Sequence, residues 1–241
     1  MAPSKFRNVD LVESKNSYRQ LKVSDPSLHS LGVISNGKSV VFATGASTSG
    51  RLAVMPVDTS EAANDKPLSV TADNSNVTAF AFSRVRADVL LTGSRDGTLR
   101  VFVNDGFCRG KLAENVGVSD AVCELGKEHK LGTVHAIVSH PSADGVYVVC
   151  SKKALSLVHV DLTANTVSIV GSLKARGLGK DFVDAAFAPD GARVMAVCKD
   201  GARVLCDPRG FAEHSENASG SFLEASDGAK LQRVFYLPCG R

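Results

Sequence analysis

The run Ser94-Arg95-Asp96-Gly97-Thr98-Leu99-Arg100-Val101-Phe102 places an Asp-Gly pair between small residues and an alternating apolar–polar run that ends on an aromatic. Asp-Gly flanked by alternating hydrophobics is a strong short-range hairpin signal, because glycine supplies the positive φ that a tight turn needs. One hairpin would constrain little, but the pattern recurs. Cys198-Lys199-Asp200-Gly201-Ala202-Arg203-Val204-Leu205-Cys206 repeats both the turn and the alternation. Gly50-Arg51-Leu52-Ala53-Val54-Met55 repeats the alternation without the Asp. Ser151-Lys152-Lys153-Ala154-Leu155-Ser156-Leu157-Val158-His159 repeats it with Lys153 at the Asp position. Such a chain is a repeat protein, and each unit has to bury its sheet against the next. Asp96, Gly97, Asp200 and Gly201 are expected to be the structural turns of these units.

With Gly50, Gly97, Ala154 and Gly201 taken as equivalent, the units lie about 47, 57 and 47 residues apart, against roughly 40–45 for a WD40 blade. The longer interval is read as containing a polar, Gly-bearing connector over Val103 to Gly132. Upstream of the hairpins lie further alternating strands at Val77–Phe82, Val134–Val138 and Val183–Phe187. Two of these run into turn residues, His140-Pro141 and Pro189-Asp190-Gly191. Strand, turn, strand, Asp turn, strand is the order of a propeller blade, and no helical period is sustained anywhere. The expected fold is all-β, a WD40-type β-propeller of about four blades plus the first strand of a fifth. The blades are expected over residues 30–70, 71–106, 132–170 and 181–212, with the next beginning at 231–241. A propeller closes only when its last blade meets its first, so open edges would offer unpaired strands and a route to self-association.

Composition narrows the function. The chain has no Trp, so Phe82, Phe102 and Phe187 are the expected apolar anchors of the blades. A net charge of +3 leaves no nucleic-acid footprint, and none is expected as a partner. The first ten residues are polar and charged and no long apolar run follows, so neither a secretory signal nor a membrane span is read, and the cytoplasm is expected. Cys108, Cys123, Cys150, Cys198, Cys206 and Cys239 form no C-x-x-C pair and are read as reduced thiols, several of them in the core. His135 and His159 fall on expected strands, and Glu128-His129 lies near the place of a blade's Gly-His pair, whose His buttresses the Asp turn. No H-E-x-x-H or zinc spacing occurs, and Gly177-Leu178-Gly179-Lys180 lacks the phosphate-loop spacing because Asp181 follows. The chain is read as non-enzymatic, with no cofactor or metal.

Ser4-Lys5-Phe6-Arg7-Asn8-Val9, followed by Asn16-Ser17-Tyr18-Arg19-Gln20-Leu21-Lys22-Val23-Ser24, resembles the opening of coronins. Leu91 to Thr98 is similar to a hairpin of that family, and Cys206-Asp207-Pro208-Arg209 to the Asp-Pro-Arg that ends the corresponding blade. Arg233-Val234-Phe235-Tyr236-Leu237 falls where the next blade of the family begins. The resemblance runs from Ser4 to Arg241. It divides the chain into an N-terminal segment, residues 1–29, and a partial propeller, residues 30–241. It implies a seven-bladed propeller of which this chain supplies the first four blades and the start of the fifth. It also implies actin filaments as partner, branching or severing factors beside them, and a place in the cytoskeleton. One site residue carries over: the basic residue of the basic-Val-Ser triplet contacts actin in the family, usually as Arg, and here is Lys22. Lysine keeps the charge and loses the planar fork that grips a carboxylate bidentately. Lys5, Arg7 and Arg19 lie nearby in sequence and join it in an expected basic patch. Two other readings compete: a WD40 interaction scaffold that has lost filament binding, and a fragment without independent function.

Overall fold

Val, Phe, Leu and Ala fill the alternating runs, and in the computed structural model these runs form four antiparallel sheets of four strands each. The structure describes residues 32–44, 50–57, 68–71, 76–109, 120–152, 154–174, 181–211, 221–223 and 234. Blade 1 holds β1 (Val33–Ser35), β2 (Ser39–Thr44), β3 (Arg51–Pro56) and β4 (Leu68–Thr71). Blade 2 holds β5 (Val77–Phe82), β6 (Val89–Ser94), β7 (Leu99–Val103) and β8 (Cys123–Leu125). Blade 3 holds β9 (Val134–Ser139), β10 (Val146–Ser151), β11 (Ala154–Asp161) and β12 (Thr166–Lys174). Blade 4 holds β13 (Phe182–Phe187), β14 (Val194–Cys198), β15 (Arg203–Cys206) and β16 (Ser221–Leu223). Every sheet is a meander with its strands in chain order. Helix among the described residues is confined to one turn, α1 (Gly106–Arg109), and 3-10 turns at Lys127–His129 and Pro208–Phe211.

Period two explains the cores. On β6 and β7, Leu91, Leu99 and Val101 face blade 3 and join Tyr147, Val149 and Val158 in one cluster. The alternate residues Leu90 and Phe102 turn towards blade 1 and join Val41, Leu52 and Val54. Blade 3 in turn sets Val148, Cys150 and Leu155 against Val194, Ala196 and Val204 of blade 4. Strands buried on both faces need no polar side, which is why Val89-Leu90-Leu91 and Val146 to Cys150 read as continuous apolar runs. Phe82, Phe102 and Phe187 are all buried, as the absence of Trp led one to expect. Fully burying a side chain such as Phe102 contributes roughly 1.5–3 kcal/mol. The first strands lie innermost, β5 packing on β9 and β9 on β13. No element of blade 1 packs extensively on one of blade 4 among the described residues.

Two short strands depart from the reading of the sequence. The stretch Val103 to Gly132, taken for a connector, contains α1 and the three-residue β8, which completes blade 2 beyond residue 106. Cys123 and Leu125 are buried while Glu124 points outward and pairs with Arg100 at 2.8 Å. Likewise β16 pairs with β15 and extends blade 4 past residue 212. Of the expected fifth-blade start, only Val234 is among the described residues.

Candidate interaction site

The Asp-Gly hairpins fold as their chemistry dictates. In blade 2, Gly97 takes φ +95°, its N–H donates to Ser94 O at 3.3 Å, and Ser94 N–H donates to Thr98 O at 3.0 Å. The Asp96 carboxylate accepts the Thr98 N–H at 3.1 Å and the Ser94 hydroxyl proton. Partial burial pushes the Asp96 carboxyl up, but the Ser94 and Thr98 hydrogen bonds together push it further down, so it lies below its ordinary value. In blade 4, Gly201 takes φ +93°, its N–H donates to Cys198 O at 2.9 Å, and Cys198 N–H donates to Ala202 O at 2.8 Å. Asp200 accepts the Ala202 N–H at 3.2 Å. In blade 3 the Asp position, Lys153, lies outside the described residues, and the Ser151 hydroxyl donates to Ala154 O at 2.9 Å.

These hairpins define one face of the propeller. The N–H groups of Arg95, Lys152 and Lys199 donate to the carbonyls of Asn76, Thr133 and Asp181 at 2.9, 3.0 and 2.9 Å. Those three acceptors immediately precede the inner strands β5, β9 and β13, so the hairpin tips and the entries to the blades lie together. The side chains of Arg95, Lys152 and Lys199 are exposed, as are Lys127 and Lys130 in the segment entering β9. The opposite face gathers the other turns, and each of these carries an aspartate in blades 2 to 4. Asp88, Asp144 and Asp190 follow the first strands, Asp105 and Asp207 follow the third strands of blades 2 and 4, and Asp161 ends the third strand of blade 3. Most of these carboxylates cap their own turns, as Asp161 does for the N–H groups of Thr163 and Ala164 at 2.8 and 3.0 Å.

Polar side chains also tie one blade to the next. The inner strands of blades 2 to 4, β5, β9 and β13, each carry a bulge, which leaves Thr78, His135 and Val183 outside the pairing register. The Thr78 hydroxyl donates to Val134 O at 2.5 Å, and His135 Nδ1 lies 2.7 Å from Phe182 O. Both reach the first carbonyl of the following inner strand. In blade 4 the bulge residue is Val183, which cannot form such a bond. Its neighbour Asp184 instead accepts the Val234 N–H at 2.9 Å. His129 does not buttress the Asp turn. It is exposed and faces Glu128 at 3.7 Å, while Asp96 takes its hydrogen bonds from Ser94 and Thr98.

Cys108, Cys123, Cys150, Cys198 and Cys206 are free thiols. Burial pushes Cys198 and Cys206 up to about 12 and raises Cys150 well above its ordinary value, which leaves all three poor nucleophiles. Among the described residues no three His, Cys, Asp or Glu side chains cluster closely enough to hold a metal ion. None of their helices is long and apolar enough to cross a membrane.

Residues 1–62 match a family described as a domain of unknown function, DUF1899, which is found at coronin N-termini. Among solved structures, the WD40 domain of Toxoplasma gondii coronin is similar, with a TM-score of 0.69 and 18% identity, over 90% of this chain and 51% of that one. The fold is a WD40-type β-propeller. The β-propeller domain of Cps50 (Swd1) from Myceliophteria thermophila matches less closely, at a TM-score of 0.56 and 15% identity, over 78% of this chain and 54% of that one. The chain therefore spans about half the length of these solved structures. No curated protein matches it. Of the residues singled out in the sequence, Asp96, Gly97, Asp200 and Gly201 lie at the hairpin tips of this propeller. Lys5, Arg7, Arg19 and Lys22 fall within the DUF1899 match and outside the described residues. The exposed cation beside each turn had no role in the reading of the sequence. Its signal was the alignment of Arg95, Lys152 and Lys199 in the repeat, each following the last residue of a blade's second strand.

Proposed function

We propose that this chain is the filament-binding part of a coronin-like protein, non-catalytic and acting in the organisation of the actin cytoskeleton in the cytoplasm. Actin filaments are its partner, with branching or severing factors as further ones. The observation that supports this reading is the match of residues 1–62 to a domain found at coronin N-termini, which spans Lys5, Arg7, Arg19 and Lys22. Exposed ion pairs contribute only about 0.2–1 kcal/mol each. A basic patch of this kind therefore binds an acidic filament through the sum of several pairs, and salt weakens it.

Co-sedimentation with actin filaments across a salt series tests the reading. The chain pellets with filaments at low salt, and the bound fraction falls as salt rises through the physiological range. Lys22→Glu weakens binding about three- to tenfold. A chain that stays in the supernatant at every salt concentration overturns the reading, and an unchanged affinity of Lys22→Glu removes Lys22 from the site. The competing reading, a WD40 interaction scaffold that ignores filaments, is favoured by the lysine at position 22, where the resemblance usually has arginine. It predicts a folded chain that never pellets.

A further inference from the structure

We propose that the hairpin face of the propeller is an interaction surface in its own right, and that Arg95, Lys152 and Lys199, presented by successive blades, dock an acidic protein surface. The three cations hold the same place in the same backbone geometry, each anchored by its N–H to the residue that precedes the inner strand of its blade. This placement persists although the turn beside it differs from blade to blade. Packed sheets lie about 10 Å apart, so the cations recur at about that spacing. That distance is close to a Debye length at physiological salt, ~8 Å, so the cations repel one another little and still act jointly on one partner.

The neighbouring carboxylates do not cancel them. Asp96 is turned back onto Ser94 and Thr98, and Asp200 onto the Ala202 N–H. No carboxylate among the described residues forms an ion pair with Arg95, Lys152 or Lys199. Lys127 and Lys130 add positive charge on the same side and Glu128 and Asp181 negative charge, while the opposite face carries both aspartates and cations, two of them paired, Arg86 with Asp88 and Arg209 with Asp207. The hairpin cations thus stand outside the ion pairs that hold those two arginines, and an acidic surface can engage them.

A protein surface fits better than a membrane. Of the exposed valines, Val57, Val85 and Val122 sit at turns of the opposite face and Val170 within β12, and only Val33, at the start of β1, lies on the side of the cations. Stable membrane attachment needs apolar insertion or a dense polybasic cluster. Cations held a blade apart on turns instead match carboxylates fixed on a folded partner. The inference does not rest on the filament reading, because it uses residues of blades 2 to 4 and defines its partner by acidity alone.

The test measures binding of the whole chain at low salt to three probes: poly-L-glutamate, actin filaments, and phosphatidylcholine vesicles containing phosphatidylserine. Reversal of all three charges, Arg95→Glu with Lys152→Glu and Lys199→Glu, weakens poly-L-glutamate binding about tenfold. The triple alanine variant weakens it by a smaller factor and serves if the reversal disturbs folding, as read by thermal melting. The control pair Lys38→Glu with Arg193→Glu, exposed cations on the opposite face, leaves binding unchanged. An unaltered affinity in both triple variants overturns the inference, and so does an equal loss in the control pair. Vesicle binding that exceeds poly-L-glutamate binding and vanishes in the triple variants overturns it in favour of a membrane. Poly-L-glutamate binding through these cations with no pelleting on filaments overturns the filament reading and leaves this one standing.

Discussion

In blade 2 the Asp96 carboxylate is held from both sides, by the Ser94 hydroxyl and the Thr98 amide. In blade 4, Cys198 and Ala202 occupy those positions, and Asp200 keeps the Ala202 amide alone among the described residues. The backbones nonetheless agree: Gly97 and Gly201 take φ +95° and +93°, and both turns close with the same pair of backbone hydrogen bonds. The difference teaches that Asp-Gly is enough to set the hairpin, while the hydroxyl neighbours decide how firmly its carboxylate is held. Leu99 and Arg203 extend the contrast. Leu99 is fully buried against blade 3. Arg203 stands at the matching position of blade 4, where its Nε is buried without a hydrogen-bond partner.

The largest effect comes from breaking the shared element. A Cβ at Gly97 would stand 2.9 Å from Gly132 O and 3.0 Å from Gly132 N, at a φ that L side chains rarely adopt. Gly97→Ala is expected to cost about 2–3 kcal/mol in urea unfolding, from left-handed strain together with overpacking against backbone. Gly201→Ala carries the same left-handed strain, about 1–2 kcal/mol. A loss at Gly97 below about 1 kcal/mol would show that the hairpin tip does not rest on the entry to blade 3.

Next comes removal of the carboxylates. Asp96→Ala leaves the Thr98 N–H without its acceptor and the Ser94 hydroxyl with only the longer contact to Thr98 O at 3.3 Å, and about 1–2 kcal/mol of stability is lost. Asp200→Ala loses one hydrogen bond and about 0.5–1 kcal/mol. Equal losses, measured by the same unfolding curves, would mean that Ser94 contributes nothing to the blade 2 turn.

The contrast also marks what was legible in the sequence. Alternation over five or six residues and the Asp-Gly pairs revealed β6, β7, β14 and β15, because both signals are local. The three-residue strands β8 and β16 are too short to show a period. Pairing with β7 and β15 defines them, and the partner is remote in the chain or separated by a loop. Phe107 is an apolar residue within the Val103–Gly132 stretch taken for a polar connector. Its burial depends on α1 folding back beneath blade 2, where its ring meets Phe82 edge-on at 5.9 Å. Thr78 and His135 were equally opaque, since a polar residue on an inner strand finds its acceptor only when the next blade is in place. The N-terminal basic patch was legible through family likeness alone. The hairpin cations required the repeat to be aligned and the turns to be assigned to a face.

Grafting sharpens the comparison with a smaller effect of opposite sign. Cys198→Ser with Ala202→Thr rebuilds the blade 2 turn in blade 4 and is expected to stabilise the chain by about 0.5–1 kcal/mol. The gain requires the Asp200 carboxylate, so it disappears in an Asp200→Ala background, and a double-mutant cycle isolates that coupling. A gain that survives the loss of Asp200 would come from packing instead.

Acid titration gives the smallest effect and the most direct view of the carboxylate itself. Because Asp96 lies below its ordinary value in the folded chain, its charged form is favoured by folding. The stability it contributes is complete above the unfolded carboxylate value, about 3.9, and is lost as pH falls through the lower folded value. Stability of the unmodified chain should therefore fall more steeply below about pH 4 than that of Asp96→Asn, and the gap between them should narrow towards acid. Solvent screening at this exposed turn keeps the difference small, so denaturant midpoints across pH detect it better than a single melting temperature. Parallel curves would mean that the Ser94 and Thr98 bonds hold the protonated and charged forms alike. The extra hydrogen bond of blade 2 would then be a matter of geometry and not of charge.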